Sequence, residues 1–151
     1  MTNEWYPHLT VATIVENNGN FLIVKELSDG KTVLNQPAGH VDENETLIEA
    51  AVRETLEETG WHVQIDALVG FYMYISPGNG TTYFRALFTA TALEEEPNYT
   101  LDEGILEAQW LSLEEIRQQQ PILRSPMVLQ CAEDYLAGKR LPLDCISHIS
   151  P

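Results

Sequence analysis

Basic residues are scarce in this chain. Eight lysines and arginines stand against 23 aspartates and glutamates in 151 residues, a formal net charge of −15. The eight are scattered, so no cluster exists to engage a nucleic-acid polymer or an anionic membrane surface, and neither is expected as a partner. Cysteine is scarce too. Cys131 and Cys145 lie far apart in no metal or redox spacing, which fits reduced thiols in a cytoplasm and makes a zinc site unexpected. No stretch approaches the roughly 18 continuous apolar residues of a membrane span. The opening residues, Met1 to Pro7, have neither the basic flank nor the apolar core of a signal peptide. What is present is an apolar fraction of 44%, enough for one globular domain over residues 1–151. So acidic a chain still binds a phosphorylated small molecule if a divalent cation bridges the two sets of negative charge, and carboxylates hold magnesium. The alternative is that the charge serves solubility alone.

The hydrophobic pattern alternates strands and helices. His8 to Glu16 has a period of two with β-branched residues, and Asn18-Gly19 after it suits a type I′ turn into a strand at Phe21 to Val24. Asp29-Gly30 marks a second turn, Thr32 to Leu34 a short strand, and Gln36-Pro37-Ala38-Gly39 a break. From Glu45 the period changes. Ile48, Ala51, Val52 and Thr55 form a helical stripe that Gly60 ends. Val63 to Ile65, Leu68 to Ile75, Thr81 to Ala92 and Ala108 to Leu111 read as strands, with Pro77-Gly78-Asn79-Gly80 as a hairpin or mobile loop. Leu113 to Gln119 reads as a helix, and Ser125-Pro126 opens another that Gly138 closes. The fold class is α/β, of mixed α+β type, with a mixed sheet between helices. No strongly apolar exposed stripe is visible, so a monomer is expected.

Glu54, Glu57 and Glu58 stand at i, i+3 and i+4, three carboxylates on one helix face. Like charges at that spacing cost a few tenths of a kcal/mol per pair. They also sit near the helix C-terminus, where the macrodipole disfavours them. A bound divalent cation would remove that cost; a solvated acidic face is the plainer reading. Gly39, ahead of the helix, permits a close backbone approach or a positive φ.

The full spacing decides between them. Gly39, five residues, Glu45, seven residues, Arg53-Glu54, two residues, Glu57-Glu58, one residue, Gly60 resembles the complete Nudix box. Thr55 and Trp61 occupy slots that are aliphatic in the pattern, a departure that bears on packing more than on chemistry. The resemblance runs from about Pro7 to Leu143 and takes in Ala108-Gln109-Trp110-Leu111 with the helix after it. It implies a Nudix-type α/β/α sandwich with a loop-helix-loop catalytic motif, in which Gly39, Glu54, Glu57 and Glu58 hold Mg²⁺, with Mn²⁺ as a substitute. Metal-activated water then attacks phosphorus. Glu54 or Glu57, with Glu54 preferred, orients or deprotonates that water, and Glu45 and Arg53 brace the loop.

Asn35-Gln36-Pro37-Ala38-Gly39-His40 and Leu123-Arg124-Ser125-Pro126 resemble a bacterial phosphatase branch of the family. That implies phosphate release from thiamine diphosphate, hydroxymethylpyrimidine diphosphate and nucleoside di- and triphosphates. A housecleaning nucleoside triphosphate pyrophosphohydrolase is the alternative enzyme. A non-catalytic Nudix-fold sensor would be expected to have lost box carboxylates, and every one is present. Several residues outside the box remain two-sided. Arg85 and Arg124 are phosphate clamps or surface ion pairs. Glu107 is a further metal or base carboxylate or a surface acid. Tyr72, Tyr74 and Tyr83 stack on a ring of the substrate or pack the core. Helical Glu49 and Arg53 are spaced to pair, and His40 is near enough to Gly39 to reach the site.

Overall fold

The structure is a computed structural model and describes residues 4–151; Met1–Asn3, part of the opening segment read above, lie outside the described residues. Strands β1 (His8–Asn17) and β2 (Asn20–Ser28) meet in a hairpin whose turn residues Asn18 and Gly19 both have positive φ, 52° and 83°. Asp29 and Gly30 repeat that geometry between β2 and β3 (Lys31–Asn35). Then come β4 (Ala38–His40), α1 (Leu47–Thr59), β5 (Trp61–Ile75), β6 (Thr82–Glu95), β7 (Ile105–Ser112), α2 (Leu113–Gln118) and α3 (Met127–Leu136). Strands β4 and β6 flank β1, the first antiparallel and the second parallel, and β5 closes that body beside β6. On the other side, β3 and β7 pair antiparallel with β2. The two bodies join where β1 turns into β2, at Glu16 and Phe21.

Alternating side chains bury both faces of this mixed sheet. Ala50 and Ala51 of α1 pack on Val11, Val15, Leu68, Ala86 and Phe88. On the opposite face Ile116 of α2 and Val128 and Cys131 of α3 pack on Ala12, Ile14, Phe21 and Leu87. The result is the expected α/β/α sandwich, with α1 held on one side of β1 and β6. No helix among the described residues is long and apolar enough to cross a membrane.

Four local readings need correction. Ala38–Gly39 is not a break but part of a three-residue strand, pairing Ala38 with Ala12 and Gly39 with Val11; so short a strand shows no periodicity. The strands read at Val63 and Leu68 are one, and irregularities at Ile65/Ala67 and Leu68/Gly70 interrupt its alternation. Glu49 does not pair with Arg53: it closes a capping box with Thr46, each accepting the other's backbone N–H. Finally, β5 does carry an exposed apolar stripe. Phe71, Met73 and Ile75 are 48%, 66% and 67% exposed, so the reason given for a monomer does not hold.

Candidate active site

Arg53 of α1 braces the loop between β4 and α1. Arg53 forks onto Glu45, Nε donating to Oε2 at 2.6 Å and Nη2 to Oε1 at 2.9 Å. Its Nη1 donates to Glu54 Oε1 at 2.8 Å and to Glu57 Oε2 at 3.1 Å, and Nη2 also reaches the His40 carbonyl. The guanidinium thus ties three acids of the helix and loop to the strand that carries Gly39. Its hydrogen bonds hold the Glu45 carboxyl below its ordinary range. Gly39 has no positive φ; its requirement is space. A Cβ there would lie 2.1 Å from the carboxyl carbon of Glu54.

Beside Gly39 opens a cavity of about 510 Å³ that Glu54 and Glu58 both line. Glu58 is buried, with Oε1 accepting the Ala38 N–H at 2.8 Å. Burial pushes its carboxyl up to about 9 against the Ala38 hydrogen bond, and the charges of Glu26, Glu54 and Asp102 add to the rise. Burial also raises Glu54, which Arg53 partly offsets. Glu57 is raised by burial and by Asp102, and lies at the edge of the group, outside the cavity wall. Glu54, Glu57 and Asp102 offer carboxylate oxygens within 4.8 Å of one another. Three acids this close, with a fourth buried beside them, suit a hard divalent cation.

The same cavity is lined by the two candidate arginines. Arg124 donates from Nη1 to Glu26 Oε1 at 2.7 Å, and its side chain is 41% exposed. Arg85 is buried, so it is no surface ion pair. Nη1 donates to Gln36 Oε1 and Nη2 to Asn35 Oδ1, while Nε has no partner. No carboxylate among the described residues pairs with it, so its charge stands uncompensated beneath the cavity. The tyrosines divide. Tyr72 points to the core and donates to Asp134 at 2.7 Å, whereas Tyr74 and Tyr83 line the cavity. His40 lines it too, 2.9 Å from His8, and burial lowers its pKa, with His8 adding to the shift.

Comparison with known proteins gives this arrangement its context. The NUDIX domain family model matches residues 6–130. The chain belongs to the Nudix family. Its curated relatives include Phosphatase NudJ of Escherichia coli strain K12, 41% identical over 140 residues that cover 93% of this chain and 90% of that protein. Among solved structures, a NUDIX hydrolase from Nitrosomonas europaea is 43% identical, with a TM-score of 0.93 over 95% of this chain and 98% of that one. A MutT NUDIX hydrolase from Burkholderia pseudomallei, 21% identical with a TM-score of 0.73 over 86% of this chain and 98% of that one, shares the fold. This Nudix protein is a hydrolase that acts on phosphorus-containing anhydrides in small molecules, in a family that generally works with a divalent metal.

The two departures from the Nudix box have structural reasons. Thr55 is buried and pairs its hydroxyl with Thr13 of β1 at 2.8 Å, a contact no aliphatic residue makes. Trp61 opens β5 and packs edge-to-face on Trp110 of β7, 5.8 Å between ring centroids. Glu107 does not join the site. It stands exposed on β7, 3.8 Å from Lys25, because strand alternation turns it outward. From outside the box, Glu26 and Asp29 line the cavity and Asp102 joins Glu54 and Glu57. Glu26 lies on β2 beyond the point where the strand reading stopped, and a polar residue on a buried strand face was its available signal. Asp102 has no local signal: its backbone N–H bonds to the Glu57 carbonyl across the fold.

Proposed function

We propose that this Nudix hydrolase releases orthophosphate from small diphosphates and triphosphates, with thiamine diphosphate, hydroxymethylpyrimidine diphosphate and nucleoside di- and triphosphates as its substrate class. It works in the cytoplasm as a single domain over residues 1–151. The observation that carries the reading is one cavity lined by Gly39, Glu54 and Glu58 together with Arg124. The 41% identity to a protein named as a phosphatase supports the choice of product.

Glu54, Glu57, Glu58 and the Gly39 carbonyl would hold Mg²⁺, with Mn²⁺ as a substitute. The donor set fits: it is all oxygen, and the Glu58 carboxyl is costly to ionise until a cation arrives. When bound, magnesium neutralises charge on the diphosphate and makes water a better nucleophile. Glu54 accepts the proton of the attacking water. Its Oε1 is fixed by Arg53, which leaves Oε2 for that role, and its raised pKa suits a base. Glu57 is the alternative. As the new oxygen–phosphorus bond forms, the bridging oxygen–phosphorus bond breaks, and the leaving phosphate departs with its electron pair. Arg124 offers donors to that phosphate, and Arg85 adds positive potential from beneath. Tyr74 gives the organic part an aromatic surface.

The test is a product assay with magnesium across these substrates, resolving orthophosphate from pyrophosphate. Orthophosphate release that disappears with chelator and in Glu58→Gln is expected. Pyrophosphate release would place the protein among nucleoside triphosphate pyrophosphohydrolases instead. A Glu54→Gln rate within a few fold of wild type would overturn the base assignment.

A further inference from the structure

Asn35 and Gln36 stand just ahead of the box, and both turn their amide oxygens to one group. Arg85 Nη1 donates to Gln36 Oε1 at 3.0 Å, and Nη2 donates to Asn35 Oδ1 at 3.2 Å. A guanidinium has no acceptor, so each amide presents its oxygen to Arg85 and has its nitrogen left to place elsewhere. The two nitrogens end differently. Gln36 Nε2 donates to the Val128 carbonyl in the first turn of α3 at 2.7 Å, so that side chain is satisfied at both ends. Asn35 Nδ2 donates to no protein group among the described residues. Arg85 Nε is the one enclosed side-chain atom among them without a partner, so Nδ2, which also lacks one, is open to the cavity.

The position is rigid. Asn35 ends β3, pairs with Val24 of β2 and is only 7% exposed, and it lines the cavity where Gln36 does not. Behind it Arg85 keeps its charge. Nη1 also reaches the Cys131 sulfur at 3.7 Å, a thiol that burial pushes up, so it brings no counter-charge. A cation bonded to the amide oxygen polarises the amide and strengthens its N–H as a donor. An aspartate of nearly the same shape would compensate Arg85; asparagine leaves the charge free.

We propose that Asn35 contacts the substrate: Nδ2 donates to a phosphate oxygen, and the neutrality of the amide keeps the Arg85 charge available to that phosphate. This rests on the reading of the cavity as the phosphate site. Arg85 is then a positioning residue for Asn35 as well as a source of potential, and Gln36 is the structural member of the pair.

The probe is methylene diphosphonate, a diphosphate with carbon at the bridge that water does not cleave. Its Kd is read by calorimetry in magnesium and set beside thermal melts for wild type, Asn35→Ala and Asn35→Asp. Asn35→Ala removes the donor and should weaken binding about tenfold, the worth of one hydrogen bond to a charged group. Asn35→Asp removes the donor and also cancels the Arg85 charge, so binding should weaken about a hundredfold. Stability runs the other way. The melting temperature should be highest in Asn35→Asp, where Arg85 gains a carboxylate, and lowest in Asn35→Ala, where Arg85 loses an acceptor. A merely structural residue would lose affinity in step with stability. That outcome, or equal Kd in the three proteins, would overturn the assignment. So would a loss confined to cytidine diphosphate, because Nδ2 would then read the organic group. Pyrophosphate release from cytidine triphosphate, with the opposed orders intact, would overturn the orthophosphate-releasing reaction and leave Asn35 in place.

Discussion

Two arginines of this protein live under opposite conditions. Arg53, on the rim, is surrounded by acid: Glu45, Glu54 and Glu57 accept its hydrogen bonds, and Asp42 lies 3.4 Å away. Arg85, beneath the cavity, is more deeply buried and has amides and a thiol for company. Compensated charge at the rim fixes geometry. Uncompensated charge in the cavity lining creates a positive potential there, and the buried Glu58 carboxyl of the same lining has no cationic partner among the described residues. Order is spent at the rim, and binding energy is held in reserve inside.

The largest break in this contrast comes from pH. Glu58 titrates at about 9 in the folded chain against 4.5 as its ordinary value. A raised folded value favours the protonated form, so its contribution to stability is fully present below 4.5 and is lost as pH rises toward 9. Thermal melts in chelator should show stability falling across that window, with a shallower slope in magnesium and in Glu58→Gln. A slope unchanged in Glu58→Gln would remove Glu58 as the cause. Next in size, Arg53→Gln leaves clustered carboxylates without their fork and should cost about 2 kcal/mol by denaturant titration, with activity falling as Glu54 loses its hold. Arg85→Gln should behave differently. It keeps a donor for Gln36 and removes a buried charge, so stability changes by less than about 1 kcal/mol. The KM for a diphosphate substrate should rise about tenfold as the reserved potential disappears. If the two arginine variants lose stability equally, the contrast fails. Smallest of all, Glu107→Gln should shift stability by less than about 0.5 kcal/mol and leave kcat/KM at wild type, since its side chain is exposed and pairs with the exposed Lys25.

The sequence is legible where chemistry or backbone geometry demands a residue type at a fixed spacing. Gly39, Glu45, Arg53, Glu54, Glu57, Glu58 and Gly60 follow one pattern, and Gly60 indeed ends α1 in a left-handed conformation, φ 77°. Ser125 is a near miss of boundary. The helix is assigned from Met127, but Pro126 already has helical angles and the Ser125 hydroxyl accepts the Met127 N–H. The rest depends on residues far apart in the chain. Nothing local tells Arg85 that Gln36 and Asn35 will receive it, or brings Glu26 and Asp102 to the box. β4 shows only when β1 lies beside it. The outward turn of Glu107 is a matter of register, and register is not visible until strands pair.

One contact reaches beyond the site into the history of each molecule. The N–H of Leu47, in the first turn of α1, donates to Nε2 of His148 across 101 positions, and Leu141 bridges to Leu68 on the way. Such first-turn amides have no partner within their own helix. A nascent chain can therefore lay down the carboxylate helix before its partner exists, but that amide stays open to water until His148 has left the ribosome. The carboxylate helix is in this sense completed only by a residue made 101 positions later.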